Sequence, residues 1–394
     1  MALPKITIEY LNGQLGTVPE SQDGLLALAV IGATAAGATF ALGNPYTIYR
    51  PQSLDGLGVT QENNARLHSL VSQFYSTADE GTKLVVVGYP STDTMSGLCD
   101  KTSGKLRTLL QAQKGELRGI VLASAVEAEE GAEGLDADVF SALPKAQELA
   151  DYSASELYAP IFVALEGKGF TDAADLKDLS DLGYNRCCVV IGGTSDDGDG
   201  AAMGIFAGKV ASVPVHRNIG RVADGALYPE KMYVGGKPVD ECVDDITAIY
   251  DKGYICPRTY VGRTGYFFTD DRMACDPTDD YAHLTNRRTI DKAARIAYST
   301  LLDYLLGEID TNEDGTMQQG VIKSWQAEVE GAIDTQMTSA GELSGTDGSG
   351  CKCSIDPSQN VVSTSRINVT LKVRPYGYAR FINVSIGFLL SSSN

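Results

Sequence analysis

Four apolar runs, each preceded by a segment of helical spacing, constrain the fold of this chain more than any other feature. They are Lys83-Leu84-Val85-Val86-Val87-Gly88, Gly119-Ile120-Val121-Leu122-Ala123, Pro160-Ile161-Phe162-Val163-Ala164-Leu165 and Arg186-Cys187-Cys188-Val189-Val190-Ile191. A strand that is apolar on both faces must be covered on both faces, which is the signature of a largely parallel sheet between helical layers. The segments between the runs supply those helices. Leu67, Leu70, Val71 and Phe74 recur at i, i+3, i+4 and i+7 within 62–80, and further helices are expected near 101–114, 136–151 and 171–181.

Residues 24–43 carry no charge and are long enough to span a bilayer. Their Gly, Ala and Thr content and the absence of a basic flank favour a buried strand near 25–32 followed by a small-residue loop. Residues 200–212 read as a small, close-packed helix. From about 254 the texture changes. Tyr254 to Phe268 is aromatic, β-branched and punctuated by glycine, so strands are expected there. A long helix over about 284–308 follows, with Ile290, Ala294, Ala297, Tyr298, Leu301 and Leu305 as its apolar stripe. A helix near 318–333 and a Gly/Ser/Asp-rich loop over 339–360 complete this part. The expected fold is therefore α/β plus α+β. It divides into an N-terminal arm (1–20), an α/β domain (21–253), an α+β C-terminal domain (254–379) and a C-terminal strand arm (380–394).

Both ends read as strands. Ile6, Ile8 and Tyr10 alternate with polar neighbours before an Asn12-Gly13 turn signal. Near the other end Ile367, Val369, Leu371 and Val373 alternate with polar residues. After Pro375-Tyr376-Gly377-Tyr378 the pattern resumes with Ile382, Val384, Ile386 and Phe388. A terminal strand with nothing after it to cover its edge invites pairing with another chain, which points to assembly.

The formal net charge of −19 argues against a nucleic-acid partner, because phosphate contacts require basic patches. The eight cysteines are expected to be reduced thiols in a cytoplasmic setting, since no export signal is evident. Cys187-Cys188 sits in an apolar run, and Cys351-Lys352-Cys353 has no histidine partners that would make a zinc site.

Motifs for chemistry are weak. Gly192 to Gly200 follows a strand and precedes a helix, where ligands of an open parallel sheet bind. Its aspartates would repel phosphate, however, and it lacks the P-loop lysine. Asp310-Thr311-Asn312-Glu313-Asp314-Gly315 opens like a calcium loop, but Val321 stands where the bidentate acid is required. His283 lies near Asp279 and Asp280, and His216 near Arg217. Acid pairs such as Asp244-Asp245 and Asp270-Asp271 are too common in so acidic a chain to mark an acid/base couple. Trp325 is accounted for by core packing. Arg288, Lys292 and Arg295 form a basic face at i, i+4 and i+7 that reads as either an ion-paired face or a docking stripe for an acidic partner. The expectation is no enzyme, no cofactor, no bound metal and no membrane insertion. The rival readings are a metal-dependent α/β enzyme using loop 193–200 and a calcium-dependent surface protein using the Asp310 loop.

In four segments the chain resembles the contractile tail sheath proteins of bacteriophages and related injection systems. These are KITIEYLNGQLG with the apolar segment from Asp23, AAMGIFAGKVASVPVHRNIG, the run Gly265-Tyr266-Phe267-Phe268 with Asn286-Arg287-Arg288 opening a long helix, and the last strand. The resemblance implies an outer α/β domain and a tube-proximal C-terminal domain. It also implies stacked hexameric rings around an inner tail tube protein, baseplate and tail terminator partners, and assembly in the bacterial cytoplasm into a virion tail or injection-system particle. Ile6, Ile8 and Tyr10, and Ile382, Val384, Ile386 and Phe388, would be arms lent to neighbouring subunits, and contraction would drive the tube through a target envelope. Arg288, Lys292 and Arg295 are the tube-facing candidates.

Overall fold

The computed structural model describes residues 22–129, 131, 133–196, 200–227, 229–345 and 348–387. The first unit runs through Leu26–Ile31 (β1), Tyr46–Ile48 (β2), the single turn Ser53–Gly56 (α1), Ala65–Thr77 (α2), Leu84–Tyr89 (β3), the turn Met95–Leu98 (α3) and Lys105–Ala112 (α4). It continues with Gly119–Ser124 (β4), Ala137–Ser155 (α5), Phe162–Glu166 (β5), Gly183–Tyr184 (β6), Cys187–Val190 (β7) and Met203–Ser212 (α6). Six of these strands form one sheet in the order β2-β3-β1-β4-β5-β7. All its pairs are parallel except β2 against β3. The uncharged segment that could have spanned a bilayer supplies β1, the strand between β3 and β4, and every residue of it is buried. Among the described residues no helix is long and apolar enough to cross a membrane.

The sheet's layers explain the sequence. β1, β3, β4, β5 and β7 are buried along their whole length, as continuous apolar runs must be. Helices α2 and α6 cross closely because Gly204 and Gly208 lie against the carbonyls of Leu70 and Phe74, where a Cβ would overlap backbone. The helix expected over 171–181 is replaced by turns. Asp172 and Asp178 each accept a hydrogen bond from the amide two residues on, at 2.8 Å. Local side-chain bonding of this kind competes with helix.

Beyond α6 come short elements: Tyr233–Val234 (β8) with Lys237–Pro238 (β9), Val243–Asp251 (α7), Pro257–Arg258 (β10) with Phe267–Phe268 (β11), and Ala274–Cys275 (β12), which pairs back onto β6. The aromatic stretch expected to be strands thus forms only two-residue ladders. The main core takes in residues as far as Leu284. The last unit comprises Leu284–Leu302 (α8), Gln319–Ile333 (α9), Cys351–Ile355 (β13), the turn Val361–Thr364 (α10) and Val369–Val373 (β14). The segment expected to be loop therefore contains a strand. Cys351, Cys353 and Ile355 alternate inward against Lys352 and Ser354, a period-two signal hidden by glycine and serine on its N-terminal side. β13 pairs antiparallel with β14, Cys353 opposite Leu371, over cores centred on α9. All eight cysteines are free and buried.

The expected stripe of α8 is inverted. Ala294 and Tyr298 face outward and Ile290, Ala297 and Leu301 are half-buried, while the buried face carries Arg287, Arg288, Thr289 and Asp291 beside Ala293 and Ile296; α8 ends at Leu302, so Leu305 lies beyond it.

Candidate functional site: the C-terminal ribbon and its anchor

The feature of this molecule that stands out most from its packed body is its C-terminal ribbon. β14 extends its pairing by one step, the Arg374 amide donating to the Gly350 carbonyl at 2.7 Å. The chain then leaves the sheet at Pro375. The Tyr376 ring lies 5.3 Å from that of His216, and the Tyr378 hydroxyl donates to the His216 carbonyl. Arg380 donates from Nε to Asp270 Oδ2 at 2.8 Å, with Nη2 3.6 Å from Asp271 Oδ1.

Past that point the ribbon has no strand partner among the described residues. Phe381, Ile382, Val384 and Ile386 are all exposed, Ile386 to 93%. The second strand of the expected terminal pair is therefore not folded against β14, whose partner is β13. The arm candidates Ile6, Ile8, Tyr10 and Phe388 lie outside the described residues. Beside the ribbon, β13 and β14 stand as a two-stranded sheet, and strands at the edge of a sheet present unpaired main-chain groups.

The anchor is polar and deep. Asp271 is fully buried. One of its oxygens accepts from Asn218 at 2.8 Å and faces His283 Nδ1 at 3.0 Å, and the other accepts from the Thr285 amide in the first turn of α8 at 2.8 Å. Asp270 accepts from Asn218 and from the Asp271 amide. Burial, then the neighbouring Asp271 charge, raises the Asp270 carboxyl above its usual range. Burial would raise Asp271 too, but the hydrogen bond and charge of His283 outweigh it, and the carboxyl is held well below the ordinary value. The Asp270, Asp271 and His283 ligand atoms lie close enough to hold a metal ion, the one such group among the described residues. The positive charge at this position is already supplied by Arg380. Sequence reading missed the site, since it placed His283 beside Asp279 and Asp280 and set Asp270-Asp271 aside.

The basic face is corrected. Arg288 is only 5% exposed and donates to the Val213 carbonyl at 3.1 Å. Lys292 pairs with Asp23 and Glu342 at 2.5 and 2.7 Å. Arg295 donates to the carbonyls of Gly115, Leu117 and Pro160 at 2.5–2.8 Å. Burial pushes Arg288 down to about 10 and Arg295 to about 9. These cations join α8 to the end of α6, to Asp23 ahead of β1 and to the backbone leading into β4 and β5, and their charge is used inside the chain.

The calcium-like loop resolves as local structure, and the acidic loop is described only in part. Off the C-terminal ends of β1 and β4 lies a small crevice lined by Asn64, Arg66, Ser124 and Ser195. It is braced by Glu166, which is fully buried, ion-paired with Arg66, and accepts from the amides of Ser124 and Ala201 at 2.7 and 2.8 Å. Residues 197–199 of the acidic loop lie outside the described residues. In the calcium-like loop the Asp314 carboxylate takes the Thr316 amide and hydroxyl at 3.0 and 2.7 Å, making a tight turn.

Comparison with solved structures gives the class. The chain is similar to the anti-feeding prophage helical sheath in its contracted state, with TM-score 0.62, 15% identity, and coverage of 98% of this chain and 99% of the other. It is similar to a chain of the anti-feeding prophage baseplate (TM-score 0.61, 14% identity, 99% and 100% covered). It is also similar to the contracted PVC sheath complex of an extracellular contractile injection system (0.54, 15%, 98% and 98%). The fold is that of contractile sheath proteins. No curated protein gives a significant sequence match. The chain belongs to the DUF2586 family, whose N-terminal domain matches residues 3–272 and whose C-terminal domain matches residues 280–393.

Proposed function

We propose that this protein is the structural subunit of a contractile sheath, polymerising as stacked hexameric rings around an inner tube and relaxing from an extended to a contracted state to drive that tube outward. The observation that carries the reading is the exposed apolar ribbon beyond Arg380, together with a fold shared with sheath subunits over nearly the whole chain. Burying its four large apolar side chains in a neighbour would return roughly 6–12 kcal/mol. Ordering the seven residues 381–387 costs a comparable amount, about 1–2 kcal/mol per residue. Apolar contact alone therefore roughly breaks even. Main-chain hydrogen bonds, each worth about 0.5–1.5 kcal/mol net, tip the balance toward strand addition on a neighbour's sheet edge. Residues 6–10 would lend the matching N-terminal strand. Links of this kind survive rigid-body rearrangement of the bodies they connect. No tube contact is assigned to Arg288, Lys292 or Arg295, because presenting them would break their contacts within the chain.

The test is negative-stain microscopy of the purified protein beside a variant lacking residues 381–394. Striated tubes or rings are expected from the full chain, and a folded, soluble, unpolymerised body from the truncated one. Uniform small particles from the full chain, or normal tubes after truncation, would refute the reading.

A further inference from the structure

Between Arg374 and Phe381 the chain does not rest on a packed core. It crosses a cavity of about 800 Å³ whose walls include Arg217, Val243, Ile246, Tyr250 and Arg258. The span touches down on polar groups, His216 under Tyr376 and Tyr378 and the two aspartates under Arg380. The Arg380 seat suits a guanidinium. Asp270 Oδ2 accepts a hydrogen bond from Nε–H, the Tyr378 ring lies 5.2 Å from the guanidinium carbon, and the two adjacent buried carboxyl groups favour a cation beside them. Planar, delocalised and weakly hydrated, a guanidinium suits such a seat better than an ammonium. The seating is also incomplete, for Nη2 is buried without a hydrogen-bond partner, 3.6 Å from Asp271. At Arg380 the hold is one charge-assisted hydrogen bond and one longer ion pair beside a hollow, and it can open without unfolding anything beneath it.

We propose that Asp270 and Asp271 form a guanidinium socket for Arg380, and that this socket is a release latch fixing where the C-terminal ribbon leaves the body. Docked, it aims residues 381–387 away from their own sheet. Released, it frees the chain from Arg380 onward, beyond the Tyr376 and Tyr378 contacts with His216, so that the ribbon can keep its hold on a neighbour while the body turns. Its use in a polymer rests on the sheath reading, but the docking itself does not.

Trypsin reads the docking directly, because it must take the Arg380 side chain into its own pocket. On full-length, unassembled protein, cleavage after Arg380 is compared with cleavage after exposed Arg366 by mass spectrometry. In the wild type Arg380 is expected to be cut at least tenfold more slowly than Arg366, and Asp270→Asn is expected to abolish that difference. Should Asp270→Asn fail to fold, Arg380→Ala decides from the other side, with faster chymotryptic cleavage after Tyr378 expected. Equal cutting at Arg380 and Arg366 in the wild type, or unchanged protection in the folded variant, would overturn the latch. Tubes of unaltered form from a variant in which Arg380 is released would overturn its role in aiming the ribbon. Absence of tubes from every protein, with protection behaving as expected, would sink the sheath reading and leave the socket standing.

Discussion

Asp270 and Asp271 are neighbours in sequence whose protonation the fold drives in opposite directions. Asp271 is held low by the hydrogen bond and charge of His283, against the cost of burial. Its contribution to stability is complete above the unfolded carboxylate value of about 3.9 and is lost as pH falls through its lower folded value. Asp270 is raised by burial and by Asp271, so its sign is reversed: the fold favours its protonated form, and stability declines as pH rises through its raised value. Asp271→Asn is accordingly expected to lower stability by roughly 2–3 kcal/mol near neutral pH. The deficit should shrink once pH falls below about 4, as read from urea midpoints across the range. A deficit that persists undiminished in acid would show that the ionised carboxylate is not what matters. None of this was legible in the sequence. His283 meets Asp271 only because the start of α8 folds back, the Leu284 amide donating to the Asp271 carbonyl at 2.8 Å. Arg380 arrives from 110 residues away, and no local spacing encodes such a meeting.

Elements were far more legible than their surroundings. The continuous runs became β3, β4, β5 and β7 because strands covered on both faces cannot alternate, so local composition and tertiary position agree. Helix α8 shows where that logic stops. Arg288 and Arg295 bury because backbone carbonyls at the end of α6 and ahead of β4 and β5 need donors, and five N–H groups on a plane serve them well. A hydrophobicity stripe cannot see carbonyls, so it chose the wrong face. The packing of α2 on α6 gives a test in which two terms oppose each other. Alanine at Gly204 improves helix propensity by about 1 kcal/mol but drives a methyl group into the Leu70 carbonyl. Overpacking costs typically 1–3 kcal/mol, and backbone cannot give as a side chain can. Gly204→Ala is therefore expected to lower the melting temperature. An unchanged or raised value would show that the helices are free to part.

At the scale of the whole molecule, the contacts of α8 decide how the two units behave. Arg186 and Arg287 both pair with Asp291, at 3.2 and 2.6 Å, while Arg288, Lys292 and Arg295 reach across to backbone and to Asp23. Separating the units would strand several buried charges at once, each at a cost of several kcal/mol. Trp325, the single tryptophan, stacks on Tyr304 in the C-terminal unit, so its fluorescence reports that unit alone, whereas circular dichroism reports the whole chain. The two signals are expected to share one denaturant midpoint. An earlier tryptophan transition would mean that the C-terminal unit melts by itself. A body riveted through a helix in this manner is a lever without a joint. In a fibre made of such levers, as the sheath proposal has it, shortening would belong wholly to the couplings, much as chain mail gathers while every ring keeps its shape.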